Sequence, residues 1–418
     1  MVTTGAILSL DAIGKQDLYL DSPSPHDSLF HYNLPERHSK FAKYENVQRL
    51  SRPSTTAPTD SWPFGKTITT FLNPQELGDI MTDLVIRVQL PELLDARTRT
   101  ATYCDNLAWS ILDNINIRVD EMDIETIYGD SLMIYYNLYA DTSERRALAA
   151  GLGGDKTGEA QTVYLVLPTF FNQKNPFPLC SIHKQKIRLS ITFNPPSAFA
   201  NTTDVVSIPF IDVLATVADV TLQERQMLMT KKIERVFTLA VRQPIQEIPA
   251  DTGEARLKFN LVGDDSVKTI VWFLRRDIFE QLTDLDYFNQ RMNLSNVDSE
   301  NEVEQTLNPI MSTADIYINN NSSLSPLVDV SRSNISTRNY YKYNPNFMPP
   351  LKDIYSYTFA LNPTSTAPSG LLDMSKTSSN GTFLQMNLNR LVTETVQFHG
   401  YYIIDRRFTI SRGFMSSS

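Results

Sequence analysis

Short segments in which apolar and polar residues alternate run through most of this chain. In LVIRVQL (84–90), Leu84 and Ile86 point to one side of an extended backbone, and Arg87 and Gln89 point to the other. This period of two is the pattern of a half-buried β-strand. KIRLSITF (186–193) repeats the pattern. Comparable segments are INIRV (115–119), VYLVL (163–167), RLKFNLV (256–262), VKTIVWFL (267–274) and TFLQMNL (382–388).

Turn-forming residues separate these predicted strands. They are concentrated at 75–79, 194–197, 263–265 and 363–370. Many short strands divided in this way indicate antiparallel sandwiches or barrels. Helical spacing occurs only at 143–152 and 279–288, so we expect a few short helices in loops and an all-β fold.

The length of 418 residues favours two or three domains. The charged segment QERQMLMTKKIER (223–235) separates two series of predicted strands. We therefore expect an N-terminal arm at 1–60, a first β-domain at 61–222, a linker at 223–235 and a second β-domain at 236–418.

The charge balance limits the possible partners. A formal net charge of -9 opposes the coating of a phosphate backbone, so we expect no direct nucleic-acid contact. The N-terminal sequence lacks the basic start and long apolar stretch of a secretory signal, which predicts synthesis in a reducing cytosol. In that setting Cys104 and Cys180 are expected to be buried free thiols.

Candidate catalytic and metal-binding residues are few. His26, His31 and His38 lie near one another in sequence, but their gaps do not match a common metal-binding spacing. Cys180 and His183 could form a nucleophile and base only if a third group oriented the histidine, and no such group is evident. We therefore predict no catalytic residue, no cofactor and no metal site.

Several segments, in this order along the chain, carry a family resemblance. GAILSLDAIGKQDLYL occupies 5–20, Tyr128-Gly129-Asp130 follows a predicted strand, and IYSYTFALNPTSTAPSGLLDMS occupies 354–375. Together they resemble the major capsid proteins of nucleocytoplasmic large DNA viruses. The chain departs from the family pattern at 372–376, where LDMSK replaces a segment that usually carries asparagine, phenylalanine and arginine.

This resemblance implies a fold and a function. The fold would be a double jelly roll, two consecutive two-sheet sandwiches of about eight strands each. Three chains would form a pseudo-hexameric capsomer, and capsomers would tile the icosahedral shell of a large DNA virus. The expected partners are further copies of the chain, minor capsid proteins and an inner viral membrane. The expected location is the virion, after assembly in the host cytoplasm, and no enzymatic activity is expected.

Two groups of residues are candidates for contacts in such a shell. The first is a basic segment that we read either as a solvated arm or as an arm that contacts a minor capsid protein or an anionic membrane. Its basic residues are Arg37, Lys40, Lys43, Arg49 and Arg52. The second group is predicted to pack between subunits, because tyrosine offers contact area and a polar hydroxyl. It consists of Tyr340, Tyr341 and Tyr343.

Two other functions remain open at this point. A minor or vertex capsid protein would share the fold but occur in few copies in a particle. A carbohydrate-binding protein with two β-sandwich domains would bind glycans as a monomer.

Overall fold

The computed structural model describes residues 41–57, 60–93, 101–104, 106–140, 158–169, 176–202, 206–249, 256–263, 265–276, 311–320, 354–363, 369–388 and 395–417. The strands of the first half are β1 (Phe41–Ser51), β2 (Thr67–Leu72), β3 (Ile80–Leu90), β4 (Leu112–Val119), β5 (Met122–Tyr128), β6 (Gln161–Val166), β7 (Ile187–Phe193) and β8 (Phe210–Val220). Those of the second half are β9 (Ile233–Arg242), β10 (Gln246–Ile248), β11 (Arg256–Asn260), β12 (Ser266–Arg276), β13 (Met311–Tyr317), β14 (Tyr355–Thr358), β15 (Leu372–Asp373), β16 (Phe383–Leu388), β17 (Val396–Ser411) and β18 (Phe414–Ser417).

The helices are short. The α-helices are α1 (Pro74–Leu77), α2 (Leu107–Ile111), α3 (Gly129–Ile134) and α4 (Leu222–Thr230). A π-helical turn (Tyr135–Tyr139) follows α3, and 3-10 turns occur at Leu179–Ile182, Pro196–Ala198 and Met374–Lys376. None of the described helices has both the length and the apolar character needed to cross a bilayer. The two helices predicted at 143–152 and 279–288 lie outside the described residues.

The first half folds into two four-stranded antiparallel sheets. Their strand orders are β1-β8-β3-β6 and β2-β7-β4-β5. Each order places strands from opposite ends of the segment side by side; for example, β1 pairs with β8 along its whole length, from Phe41 opposite Val220 to Ser51 opposite Phe210. Two antiparallel sheets with these long connections form a jelly roll.

The second half repeats this arrangement. One sheet has the order β10-β17-β12-β14, and β9 also pairs with β17. The facing sheet has the order β11-β16-β13 in the described part of the chain. Phe259 of β11 and Phe398 of β17 stack with ring centroids 4.0 Å apart, which joins the two sheets through the core. The predicted double jelly roll is therefore confirmed.

Alternation of apolar and polar residues accounts for the sandwich cores. Leu84 and Ile86 of β3, and Leu189 and Ile191 of β7, all have completely buried side chains. Full burial of one such aliphatic side chain contributes about 1.5–3 kcal/mol. The strands predicted from this pattern at 84–90 and 186–193 are therefore confirmed as β3 and β7.

The structure differs from the predicted domain boundaries at two places. Residues 41–51 do not form an arm, because their alternating side chains and their pairing with β8 make them the edge strand of the first jelly roll. The predicted linker at 223–235 contains most of α4 and the start of β9. In the described ranges no strand of β1–β8 pairs with a strand of β9–β18. We propose that the two domains divide at α4.

Candidate functional site

The junction between the two jelly rolls contains a cluster of buried polar residues. On the first jelly roll it begins at Tyr128-Gly129-Asp130, where β5 ends and α3 begins. A Cβ atom at Gly129 would overlap the backbone carbonyl oxygens of Trp109 and Leu112, so this position requires glycine. The tight approach fixes the start of α3 and presents the buried Asp130 carboxylate to the second jelly roll.

Asp130 contacts three side chains of the second jelly roll. Its Oδ1 lies 2.9 Å from Nη1 of Arg275, a residue of β12. Its Oδ2 accepts a hydrogen bond of 3.2 Å from the Tyr401 hydroxyl and lies 3.6 Å from Nδ1 of His399, both on β17. A carboxylate buried with a guanidinium and hydrogen-bonded at both oxygens is strongly held in place.

His399 is neutral in this environment. Its ring is completely buried and lies parallel to the ring of Phe273, with 5.1 Å between the ring centroids. Burial lowers the pKa of His399 to about 3. The positive charge of Arg275 also lowers this pKa, whereas the negative charge of Asp130 raises it. The imidazole therefore remains uncharged at neutral pH beside the ion pair.

A cation–π contact lies next to this cluster. The guanidinium carbon of Arg242, the last residue of β9, lies 3.6 Å from the ring centroid of Tyr128. The contact adds attraction between the jelly rolls, on the order of 0.5–2 kcal/mol for such pairs. Tyr128 and Asp130 thus contact Arg242 and Arg275 of the second jelly roll, respectively.

A second patch of the junction is mainly aromatic. The ring of Phe237 in β9 lies between Phe177 of the first jelly roll and Phe408 of β17, with centroid distances of 6.3 Å and 5.3 Å. Nearby, Nη1 of Arg235 donates a hydrogen bond of 2.7 Å to the carbonyl oxygen of Pro176. Partial burial lowers the pKa of Arg235.

The C-terminal hairpin forms a third patch. The backbone N–H of Met415 donates a hydrogen bond of 2.6 Å to Oε1 of Gln185, and the backbone N–H of Lys184 donates one of 3.3 Å to the carbonyl of Gly413. Gly413 has a φ of 91°, a backbone conformation that favours glycine. A Cβ atom at this position would also come too close to the side chains of His183 and Lys184. The three patches together hold the two jelly rolls in one relative orientation.

Cys180 and His183 do not form a nucleophile–base pair. Burial raises the pKa of the Cys180 thiol to about 12, so this cysteine is not a nucleophile at neutral pH. Nδ1 of His183 contacts the backbone carbonyl oxygen of Cys180 at 3.1 Å, not its sulfur. Cys104 is also a buried free cysteine. Within the described ranges, no three histidine, cysteine or carboxylate side chains form a possible metal site.

Part of the predicted basic segment has a structural role in the first jelly roll. Arg49 forms an ion pair of 2.8 Å with Asp212, and Nη1 of Arg52 donates a hydrogen bond of 3.3 Å to Ser207 Oγ. Lys43 is exposed on β1. These three residues therefore belong to or adjoin the sheet, in contrast to the predicted free arm.

The other predicted contact residues are two basic residues and three tyrosines. Arg37 and Lys40 lie outside the described residues, as do Tyr340, Tyr341 and Tyr343. Their roles in partner contacts remain predictions.

Comparison with known proteins supports a specific family. Residues 36–224 match the family model described as the N-terminus of the major capsid protein. This part of the chain is therefore similar to the N-terminal part of major capsid proteins. The matched region begins just before β1 and ends in α4, so it includes the whole first jelly roll. No curated protein matches the chain.

Solved capsid structures share the fold across both halves. The chain is similar to VP54 of PBCV-1, with 16% identity, a TM-score of 0.70 and coverage of 93% of this chain and 98% of that chain. It is also similar to the Faustovirus major capsid protein, with 10% identity, a TM-score of 0.66 and coverage of 91% and 93%. The resemblance to double jelly-roll capsid proteins of large DNA viruses is therefore confirmed.

Sequence reasoning identified only one side of the junction. Tyr128-Gly129-Asp130 was recognisable as a family motif, whereas its partners Arg242, Arg275 and Tyr401 were not. Arg275 follows the apolar segment VKTIVWFL, and an arginine directly after a buried strand is a weak signal for a buried ion pair. Its partner could not be found from sequence, because it lies 145 residues away.

Proposed function

We propose that three copies of this chain assemble into a pseudo-hexameric capsomer and that capsomers tile the icosahedral shell of a large DNA virus. The buried contact of Asp130 with Arg275 and Tyr401 carries this proposal. A fixed orientation between two jelly rolls makes one chain a rigid block with two similar units. Three such blocks provide the six units of a hexagonal outline.

The assembly mechanism is the burial of complementary side surfaces between jelly rolls. Sandwich cores are rigid, and their loops and outer faces are available for contacts with neighbours. Permanent contacts of this kind typically bury about 2,000–5,000 Å². The role of the chain is structural, and the assembly needs no cofactor.

Other partners follow from the same proposal. We assign the chain to the virion after assembly in the host cytoplasm, with minor capsid proteins and an inner viral membrane as neighbours. Arg37 and Lys40 remain candidates for those contacts, and the exposed Lys43 adjoins them on β1. A net charge of -9 opposes direct binding of nucleic acid. Tyr340, Tyr341 and Tyr343 remain candidates for packing between subunits.

Size-exclusion chromatography with light scattering tests this function. We expect a mass about three times that of the 47.4 kDa chain. A monomer with affinity for glycans would instead support a carbohydrate-binding protein. Counting copies in purified particles separates a major from a minor or vertex protein, because a major subunit is by far the most abundant.

A further inference from the structure

Three aromatic rings lie on the outward side of strands β12 and β17 in the second jelly roll. Phe398 of β17 points into the core, where it stacks on Phe259 of the facing sheet. Its neighbour His399 therefore points outward, as do Tyr401 and Phe273, the cross-strand partner of His399. The Phe273 ring is nearly parallel to the His399 and Tyr401 rings, with centroid distances of 5.1 Å and 6.1 Å. We call Phe273, His399 and Tyr401 the three-ring face.

The three-ring face is buried, whereas the equivalent surface of the first jelly roll is in contact with water. All three rings are completely buried. Strands β12 and β17 occupy in their sheet the places that β3 and β8 have in the first jelly roll. On the outward side of β3 and β8, Val85 and Leu214 are partly exposed, and the side chain of Arg87 is 28% exposed. The second jelly roll therefore has a sheet with two buried faces at a place where the first has one.

The first jelly roll covers the three-ring face. Oδ2 of Asp130 lies 3.6 Å from Nδ1 of His399 and accepts a hydrogen bond of 3.2 Å from the Tyr401 hydroxyl. On β9 of the same sheet, the Phe237 ring lies 6.3 Å from the ring of Phe177. Asp130 belongs to the short helix α3, and Phe177 lies between β6 and β7. The first jelly roll thus contributes a helix start and a loop to the junction, whereas the second contributes the face of a sheet.

This difference makes the two jelly rolls unequal in what they would expose if they separated. A buried aromatic side chain removes about 150–250 Å² from water, so the second jelly roll alone would expose a large apolar area in the middle of its sheet. The first jelly roll alone would expose Asp130 and Tyr128, whose polar groups water can hydrogen-bond, and one apolar ring, Phe177. The second jelly roll therefore depends on the junction more strongly than the first.

We infer that the second jelly roll of this chain folds only against a completed first jelly roll, which folds by itself and acts as the template. Units of different stability commonly open and close separately within one chain, and N-terminal units usually fold first during synthesis. Here the unit that is synthesised first is also the one that needs no cover. This order of folding involves a single copy and is independent of the proposed capsomer. A chain with an incomplete first jelly roll would have no folded second jelly roll to contribute to assembly.

Native-state hydrogen exchange of two matched variants, Leu189→Ala and Leu384→Ala, tests this order. Both leucines are completely buried, and they lie in equivalent strands, β7 of the β2-β7-β4-β5 sheet and β16 of the β11-β16-β13 sheet. Truncation of a buried leucine should lower the protection of the affected amides by about a hundredfold or more. In the wild type we expect higher protection in the first jelly roll than in the second.

The two substitutions should have different ranges of effect. If the second jelly roll opens while the first stays folded, Leu189→Ala destabilises the native state and this partly open state equally. It should therefore lower protection only in the first jelly roll. Leu384→Ala destabilises the native state relative to both the partly open and the fully unfolded state, so it should lower protection in both jelly rolls.

Three other outcomes would each overturn the inference. Loss of protection only in the jelly roll that carries the substitution, for both variants, would show two units that fold independently. Loss throughout the chain for both variants would show one cooperative unit. Loss throughout the chain for Leu189→Ala, together with loss confined to the second jelly roll for Leu384→Ala, would show the reverse order.

Pulsed hydrogen exchange during refolding of the wild-type chain gives a second readout that needs no variant. The chain is diluted from denaturant at a concentration too low for association, and labelling pulses follow at increasing times. We expect the backbone amides of β3 and β8 to become protected before those of β12 and β17. Simultaneous protection of all four strands, or earlier protection of β12 and β17, would contradict the inference.

Discussion

Oδ1 of Asp130 lies 2.9 Å from Nη1 of Arg275, although the two residues are 145 positions apart and belong to different jelly rolls. Both side chains are largely buried. Loss of either partner would leave an uncompensated charge in a desolvated junction. This ion pair therefore joins the two jelly rolls through a buried contact.

Replacement of Asp130 by alanine should destabilise the protein by about 3 kcal/mol, because it leaves Arg275 buried without its carboxylate and removes the acceptor of the Tyr401 hydroxyl. Chemical denaturation followed by fluorescence and by circular dichroism measures this loss. We further expect the two halves of the variant to unfold in separate transitions, since a buried ion pair between them is missing.

Asp373→Asn is the matched control for this prediction. Asp373 forms an ion pair with Lys376 at the protein surface, and asparagine can still accept the hydrogen bond from the backbone N–H of Ser375. The control should unfold like the wild type. An Asp130→Ala variant that also unfolds like the wild type would show that the junction does not depend on this carboxylate.

The protein should lose stability in acid through His399. Its pKa is about 3 in the folded protein and about 6.5 in the unfolded chain, so between these values only the unfolded chain binds the proton. His399 therefore leaves the free energy of unfolding unchanged above about pH 6.5 and lowers it progressively as the pH falls towards 3. The full loss is about 5 kcal/mol.

Comparison with His399→Gln isolates this contribution. Burial raises the pKa of Asp79 and Asp83, and these carboxylates act in the opposite direction by binding protons in the folded state. The difference in unfolding free energy between wild type and variant, measured from pH 7 to pH 4, removes their effect. We expect the difference to shift in favour of the variant as the pH falls. A constant difference would mean that His399 is not a buried neutral base.

A buried ion pair within the second jelly roll allows a further test. Nζ of Lys268 lies 3.4 Å from Asp405, and their side chains are only 1% and 2% exposed. Lys268→Met should destabilise the protein by about 3–5 kcal/mol, because Asp405 would remain buried without its cation. Thermal and chemical unfolding measure this change.

The double variant Lys268→Met/Asp405→Asn should recover most of that loss. Asparagine at 405 carries no charge and can still accept the hydrogen bond that Thr238 donates to Asp405 at 2.7 Å. A double variant that is less stable than Lys268→Met alone would show that charge burial is not what limits stability here.

Much of the fold was predictable because strand alternation is a local property. The apolar positions of β3 and β7 are buried as their spacing predicts, since each faces the same core from opposite sheets. The strand β1 was missed because its inward residues are only half-buried at the sheet edge, and basic residues on its outward side resemble a solvated arm. The same pattern of charges is compatible with a solvated arm and with an edge strand, and only the pairing with β8 distinguishes the two.

The junction was less predictable for a physical reason. Gly129 and Asp130 have their roles only because backbone carbonyls from α2 and β4 and side chains from β12 and β17 converge on them. Such convergence depends on contacts between distant segments and leaves no periodic signal. A family motif can mark the position, but only the folded chain identifies its partners.

Single-particle electron cryomicroscopy of the purified protein tests the central claim most directly. We predict particles with threefold symmetry in which six β-sandwiches from three chains form a closed ring. Particles that contain only one chain with two sandwiches, at concentrations well above those needed for stable trimers, would contradict the account.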